Sequence, residues 1–165
     1  EHSCWDILEE YQESGGYVIL DETVTGFGKL GPLFGFEKYN FKPDILVLGK
    51  AITNGYFPMG ACLINERIEK QNKMFNHGFT FSGHPVGSSA GFVMLKELEQ
   101  RNEWLLNHDR FSIRLENVKE HRQIGCMGAI DFETPKQSLT FIKKMRERGY
   151  ILEDGSENMT TAVYC

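Results

Sequence analysis

Nothing in the sequence marks a disulfide-stapled, zinc-binding or membrane-spanning protein. The four cysteines are scattered, at positions 4, 62, 126 and 165, with no CxxC pair and no histidine at ligand spacing. We therefore predict free thiols in a reducing compartment and no metal site. No apolar run approaches the roughly 18–20 residues of a membrane span. The start of the chain also has no signal peptide.

An excess of basic charge is absent as well. The formal net charge is −5, which gives no reason to expect nucleic acid or an anionic membrane as a partner. The composition is 41% hydrophobic and 25% charged, which is ordinary for a soluble globular protein. The expected compartment is the cytoplasm, unless an organelle-targeting segment precedes Glu1.

Neither end of the chain has the features of a natural terminus. It begins at Glu1 without an initiator methionine, in a segment where Trp5, Leu8 and Tyr11 recur at helical spacing. It stops at Cys165 in a β-prone run with no cap or polar tail. We interpret the sequence as a fragment of a longer polypeptide; a complete small domain with frayed ends is the alternative.

Two apolar runs end in residues that carry chemistry. The run YVIL at 17–20 leads to Asp21, and the run ILVL at 45–48 leads through Gly49 to Lys50. Both runs are predicted to be buried parallel strands, and ligands collect beyond the carboxyl ends of such strands. A carboxylate and an amine at that edge are an arrangement known for pyridoxal phosphate, in which lysine forms a Schiff base and aspartate partners the pyridinium nitrogen.

The rest of the sequence predicts alternating strands and helices. We expect helices over 3–13, 66–74, 85–100 and 103–120, a short helical or irregular stretch at 34–39, and a third parallel strand at 60–64. Beyond residue 121, alternation over 124–132 predicts a strand, a helix ends at Gly149, and 150–152 predict a returning strand. The predicted fold is α/β, with one domain over 1–102 and an incomplete α+β domain over 103–165.

Four segments in order resemble the class III aminotransferases, which are fold-type I pyridoxal phosphate enzymes. The segments are DETVTGFGK at 21–29, KPDILVLGKA followed by GYFPMGA between 42 and 61, GFTFSGHP at 78–85, and GCMGAIDF at 125–132. They are similar to the family's DE-x-x-TGFGR, KPD…GK…GGYP-GA, HT-[YF]-SGHP and G-L-M-x-[GA]-[IV]-[ED] patterns. The resemblance implies the large domain of that fold, mostly a parallel sheet, followed by part of its small C-terminal domain.

The resemblance also implies roles for individual residues. Lys50 would form the Schiff base and then act as general base and acid, and Asp21 would keep the ring nitrogen protonated. Thr23 and Val24 would lie against the cofactor ring. Thr80 would hold the phosphate of the neighbouring subunit's site in a homodimer, with Phe79 contributing through its backbone. Without a cofactor, Lys50 would be a solvated strand-end lysine, Asp21 a turn or cap residue, and Thr80 a loop residue.

Several positions depart from the family pattern. Thr23 stands where Val or Ile is more usual and adds a hydroxyl beneath the ring. Lys29 replaces an arginine and loses its planar fork. His77 and His84 are expected to order their loop. The family's glycine- and serine-rich phosphate loop does not precede Asp21, and its substrate-binding arginine would lie beyond Cys165, so we expect this fragment alone to be inactive.

The implied activity is transfer of an amino group from an ω-amino acid or amine to a 2-oxo acid such as pyruvate. Acetylornithine, γ-aminobutyrate and diaminopelargonate aminotransferases, a semialdehyde aminomutase and a dialkylglycine decarboxylase remain alternatives within the family. Two readings come from other classes. One is a catalytically dead subunit that kept the fold. The other is a nucleotide-binding module, since the glycines at 26, 28 and 31 match GxGxxG, although Pro32 argues against the helix that should follow.

Overall fold

The computed structural model describes residues 3–71, 76–100, 118–155 and 160–164. The helices are α1 (Cys4–Glu13), α2 (Glu66–Glu69), α3 (Pro85–Gln100) and α4 (Pro135–Glu147), with short 3-10 helices at Gly35–Tyr39 and Lys50–Thr53. The strands are β1 (Ile19–Asp21), β2 (Ile45–Leu48), β3 (Ala61–Ile64), β4 (Glu120–Ile124), β5 (Met127–Asp131), β6 (Glu153–Asp154) and β7 (Thr161–Tyr164). The predicted helix over 103–120 lies largely outside the described residues.

The first sheet has the order β1-β2-β3 and carries the two chemistry-bearing strand ends. Strands β1 and β2 are parallel, with Asp21 opposite Val47. Strand β3 is antiparallel to β2, so its predicted parallel direction was wrong. The physical reason is the connection, because a 3-10 turn and a tight loop over 49–60 reverse the chain where a parallel pair needs a long crossover.

Among the residues that the structure describes, the buried core of this sheet lies on one face. Phe27, Leu46, Leu48 and Ile52 are buried together, and Leu98 of α3 packs against them. Strand β1 was predicted to be buried, but the side chain of Ile19 is 60% exposed. Within the described ranges β1 pairs only with β2, which leaves it at an edge of the sheet.

Helix α1 forms where its sequence provides a cap. The Ser3 hydroxyl accepts from the Asp6 N–H at 3.3 Å, and the Ser3 N–H donates to the Asp6 carboxylate at 2.8 Å, a complete capping box. The helix ends before Gly15, whose φ is +97°. Trp5 on the predicted apolar face stacks on Tyr39 with ring centroids 4.5 Å apart.

The second sheet has the order β4-β5-β7-β6 and is antiparallel throughout. Helix α4 covers it, and Ile130, Phe132, Leu152 and Ala162 form its buried core. The single strand predicted over 124–132 is instead a hairpin, since Gly125 has a φ of +58° and reverses the chain. The strand predicted at 150–152 begins later, at Glu153, because the Tyr150 N–H still donates to the Met145 carbonyl at the end of α4, at 3.0 Å.

The hairpin turn between β4 and β5 contacts the loop that follows β1. The Cys126 N–H donates to the Lys29 carbonyl at 2.9 Å. A Cβ atom at Gly125 would lie 2.4 Å from that carbonyl oxygen. The two sheets therefore meet through backbone at this point, and only glycine fits there.

No helix in the described ranges is both long and apolar enough to cross a membrane. Within the described ranges, Cys4 and Cys62 are free cysteines.

Candidate active site

Asp21 and Lys50 lie at the same edge of the first sheet. Asp21 is the last residue of β1, and Lys50 follows Leu48, the last residue of the parallel strand β2, by two positions. Parallel strands bring their carboxyl ends to one edge, so the pairing of β1 with β2 accounts for the proximity of the two residues. This is the juxtaposition that the two apolar runs predict.

The Asp21 carboxylate is held by Thr23 and influenced by Lys50. Its Oδ1 accepts from the Thr23 N–H at 2.9 Å. Hydrogen bonds from the Thr23 backbone and side chain lower the pKa of Asp21, and the nearby Lys50 charge lowers it further. The carboxylate is solvent-exposed and ionised at neutral pH, which is the form needed to partner a protonated ring nitrogen.

The backbone of Lys50 adopts a restricted conformation. Its φ is +40°, in the left-handed region that non-glycine residues rarely adopt. Gly49 before it is buried and extended, with a φ of −169°. Strained backbone of this kind is typical of functional sites, where the surrounding structure holds a side chain in one place. The Lys50 residue is exposed.

Thr23 and Val24 face different surroundings. A Cβ atom at Gly49 would lie 3.4 Å from Cγ2 of Thr23, so the Thr23 methyl packs beside the backbone that leads into Lys50. Val24 is 43% exposed and borders a cavity of about 630 Å³ between this loop and the second sheet. Thr23 therefore lies with Asp21 and Lys50, and Val24 lies at the cleft between the two sheets.

Glu22 organises the loop that carries these residues. Its side chain is buried, and its carboxylate accepts from the Gly35 N–H at 2.7 Å, the Phe36 N–H at 2.8 Å and the Thr25 hydroxyl at 3.0 Å. These bonds tie the start of the glycine-containing loop to its end. The structural role predicted for Glu22 agrees with these contacts.

Phe79 and Thr80 lie on a different part of the surface. Both are exposed in the loop before α3, where the Phe79 N–H donates to the Ser82 hydroxyl at 3.0 Å. Phe79 borders a cavity of about 500 Å³ with residues of the 57–62 segment. No described contact joins Phe79 or Thr80 to Asp21 or Lys50, so the chain brings together four of the six predicted site residues at most.

The two histidines of this loop contact aromatic rings. His84 stacks on Phe57 with ring centroids 4.7 Å apart, and its Nδ1 accepts from the Val86 N–H at 3.3 Å. His77 lies edge-on to Phe79 at 4.8 Å. These contacts agree with the prediction that both histidines order the loop.

The cavity beside Val24 was not predicted from the sequence. Its lining is mainly apolar and comes from both sheets: Val24, Ile124, Met127, Ala129, Ile151 and Val163, with the polar residues Arg122, Gln123 and Glu153. Asp21 and Lys50 do not border it. The alternation in β4 and β5 indicates a shared face, but only the hairpin and its contact with Lys29 place that face opposite Val24.

The donor set fits pyridoxal phosphate. An ionised carboxylate suits a pyridinium nitrogen, an exposed primary amine suits the cofactor carbonyl, and a threonine hydroxyl suits a phosphate. The profile of the aminotransferase class-III family matches residues 8–163. The chain belongs to the class-III aminotransferases. Its fold is accordingly that of the fold-type I pyridoxal phosphate enzymes.

Named relatives in plants match about half of the chain. A γ-aminobutyrate transaminase 3, described as chloroplastic, from Solanum lycopersicum is 45% identical over 91 residues, which are 51% of this chain and 18% of the relative. A vanillin aminotransferase from Capsicum frutescens is 45% identical over 91 residues, or 51% of this chain and 20% of the relative. The 91 matched residues of this class-III aminotransferase chain therefore cover about a fifth of the length of these relatives.

Solved structures match nearly all of the chain. An (S)-enantioselective omega-transaminase from Thermomicrobium roseum has a TM-score of 0.80 at 29% identity, covering 96% of this chain and 40% of that one. An aminotransferase from Vibrio fluvialis in its PMP-bound form has a TM-score of 0.80 at 26% identity, covering 97% and 41%. The antiparallel β3 and the second sheet thus belong to a fold that transaminases share.

Proposed function

We propose that the polypeptide containing this chain is a pyridoxal phosphate-dependent aminotransferase. It would move an amino group from an ω-amino acid or amine to a 2-oxo acid such as pyruvate. The observation that carries the proposal is the adjacency of Asp21 and Lys50 at one sheet edge. The names of the plant relatives, which refer to γ-aminobutyrate and vanillin, favour donors whose amine is not on an α-carbon.

Each residue near that edge has a role in the proposal. Pyridoxal phosphate, when bound, supplies an electron sink for charge that develops on the donor carbon. Asp21 would accept a hydrogen bond from the ring nitrogen and keep it protonated. Lys50 would hold the cofactor and then carry a proton between two carbon atoms of the reacting system. Thr23 and Val24 would position the ring.

Phosphate binding by Thr80 requires a second copy of the chain in this proposal. Phe79 and Phe81 on either side of Thr80 are 74% and 78% exposed, and α3 beyond them exposes Val86, Phe92 and Val93. Exposed apolar side chains on neighbouring parts of the chain favour contact with a partner subunit. We propose that the enzyme is a homodimer in which Thr80, with the Phe79 backbone, serves the neighbouring site.

The cytoplasm is the compartment that we propose, with an organelle as the alternative that the chloroplastic relative raises. Imaging of the natural polypeptide with its own N-terminus would distinguish the two.

A substrate panel tests the proposed activity. The longest natural polypeptide that contains this sequence is loaded with pyridoxal phosphate and offered ω-amino acids and amines, with pyruvate compared against 2-oxoglutarate. We expect turnover with pyruvate and loss of turnover in Lys50→Ala. Lys70→Ala is the matched control, because Lys70 is exposed and pairs only with Glu66 at 2.9 Å among the described residues. A folded protein that binds no cofactor would instead favour a catalytically dead subunit.

A further inference from the structure

Thr53 joins the 3-10 helix that begins at Lys50 to the segment that follows it. Its side chain is buried, and its hydroxyl donates to the Phe57 carbonyl at 2.5 Å and accepts from the Phe57 N–H at 3.4 Å. One hydroxyl can make both bonds because it carries a donor hydrogen and free lone pairs. The backbone of Phe57 is therefore fixed relative to the helix that carries Lys50.

The Phe57 ring has a defined place against the start of α3. It stacks on His84 with ring centroids 4.7 Å apart and an interplanar angle of 23°. A Cβ atom at Gly87 would lie 2.8 Å from Cδ1 and 3.1 Å from Cε1 of Phe57, so the ring packs directly on the backbone of α3. Close packing against both residues limits the positions that the ring can take.

His84 ends the loop over 78–84, which carries Thr80 and is called the phosphate loop below. The His84 N–H donates to the Phe81 carbonyl at 3.2 Å, and the Ser82 N–H donates to the Phe79 carbonyl at 3.0 Å. Thr80 lies between the two aromatic residues that accept these bonds, so a displacement of the imidazole would move the loop around it. These contacts connect the turn after β2 to the candidate phosphate ligand.

We propose that Phe57 is a positioning residue, which sets the phosphate loop by stacking on His84 and thereby acts on the neighbouring subunit's site. This inference rests on the proposed function, in which Thr80 binds the phosphate held by the partner subunit. In that arrangement the turn that carries one subunit's Lys50 also supports the phosphate loop of the other subunit's site. Phe57 acts through His84 and needs no contact with the cofactor.

The proposal predicts a defect in the partner's site. A substitution at Phe57 would loosen the phosphate loop of its own chain, and that loop serves the neighbouring site. The site that contains the Lys50 of the substituted chain would keep an intact loop from its partner. A general loss of stability in the substituted subunit would instead weaken the site built on that subunit's own Lys50.

Cofactor trapping in mixed dimers of the natural polypeptide tests this prediction. Two differently tagged copies are co-expressed, one of them carries Lys50→Ala, and the mixed dimer is purified on both tags, so that borohydride can trap pyridoxal phosphate on one Lys50 only. With Phe57→Leu in the Lys50→Ala copy, we expect the affinity at the remaining Lys50 to fall roughly three- to tenfold, as for the loss of one stacked aromatic pair. With Phe57→Leu in the copy that keeps Lys50, we expect no change.

Tyr39→Leu is the matched control, because Tyr39 stacks on Trp5 of α1 with a similar geometry, at 4.5 Å and 17°. It should leave the affinity unchanged in either copy. Phe57→Tyr keeps the ring and should restore binding. Phe57→Met replaces Phe57→Leu if the latter does not form mixed dimers.

The outcomes separate this inference from the proposed function. Equal weakening in both arrangements, or weakening only where Phe57→Leu and the intact Lys50 share a copy, would overturn the role of Phe57. Hydrogen exchange in the cofactor-free polypeptide is a second readout: amides over 79–84 should exchange faster in Phe57→Leu than in Tyr39→Leu, and equal rates would also contradict the proposal. If the wild-type polypeptide gives no dimer or no adduct, the proposed function fails, while hydrogen exchange still decides whether Phe57 holds the loop.

Discussion

Asp44 is a buried charge whose four partners come from three segments of the chain. Its side chain is 2% exposed. It accepts from Gln12 Nε2 at 2.7 Å, the Val18 N–H at 2.8 Å and Asn65 Nδ2 at 2.9 Å, and pairs with Arg67 Nε at 3.1 Å. Burial by itself would raise the pKa of Asp44, but these hydrogen bonds and the Arg67 charge hold it below its usual value. The network fixes the residues that immediately precede β1 and β2.

We predict that Asp44→Asn destabilises the folded protein by about 2–4 kcal/mol at pH 7, because an amide would face several donors and leave Arg67 without its ion pair. Chemical unfolding of the natural polypeptide measures the change. Glu66→Gln, which alters an exposed pair on α2, should cost about 0.5 kcal/mol or less. An equal decrease in the free energy of unfolding in the two variants would show that the buried Asp44 network stabilises the fold no more than an exposed ion pair does.

The same carboxylate gives a prediction for pH. The folded pKa of Asp44 lies below the unfolded value, so its stabilising contribution is fully present above the unfolded pKa of about 4. It is lost as pH falls through the folded pKa. The stability difference between wild type and Asp44→Asn should therefore shrink below about pH 4. A difference that stays constant down to pH 2 would contradict the assignment.

The contact between the β4–β5 turn and the loop after β1 requires a residue without a side chain at position 125. Gly125 combines a φ of +58° with backbone atoms of Lys29 and Leu30 that a Cβ would meet at 2.4 and 2.7 Å. Backbone cannot move aside as a flexible side chain can. Any residue other than glycine must open this contact or distort the turn.

We predict that Gly125→Ala destabilises the protein by about 3 kcal/mol or more, from positive-φ strain plus the clash. Gly149→Ala is the control, because Gly149 has a φ of +87° but nothing within 4 Å of its built Cβ. Gly149→Ala should lower the free energy of unfolding by about 1 kcal/mol, because it adds backbone strain but no clash. Thermal unfolding of both variants measures the difference, and similar losses would show that the clash is relieved without cost.

Elements with local signals were predictable from the sequence, whereas strand partners were not. Helix α3 spans Pro85–Gln100, as predicted. Its start could be predicted because proline is favoured at the first position of a helix, which is a property of the local sequence. The predicted direction of β3 was wrong, because the direction of this strand depends on how the 49–60 segment folds in space. The split of 124–132 at Gly125 was missed because alternation continues across a two-residue turn.

At the candidate site, the sequence predicted which residues lie at the ends of the strands, but not which contacts the following loops make. Asp21 and Lys50 follow from two apolar runs and the convergence of parallel strands. The contact of Thr23 with Gly49 and the cavity beside Val24 depend on packing between segments that are distant in sequence. No local pattern contains that information.

The apolar surface around Thr80 is the feature that most affects how the whole molecule assembles. We predict that the natural polypeptide is a dimer and that Phe81→Asp weakens it, because a charge would be buried at the proposed subunit contact. Leu139→Asp on α4 is the control, since Leu139 is also an exposed apolar residue but belongs to the second sheet's helix. Light scattering after size-exclusion chromatography gives the mass, and a monomeric wild type with a complete occupied site would contradict the shared-site proposal.

Chemical trapping decides whether Lys50 holds the cofactor. The natural polypeptide is incubated with pyridoxal phosphate and reduced with borohydride, and the modified peptide is then mapped by mass. We predict a pyridoxyl adduct on Lys50 that is absent in Lys50→Ala and unchanged in Lys70→Ala. A folded dimer with no adduct, or with an adduct on another lysine, would contradict the aminotransferase proposal.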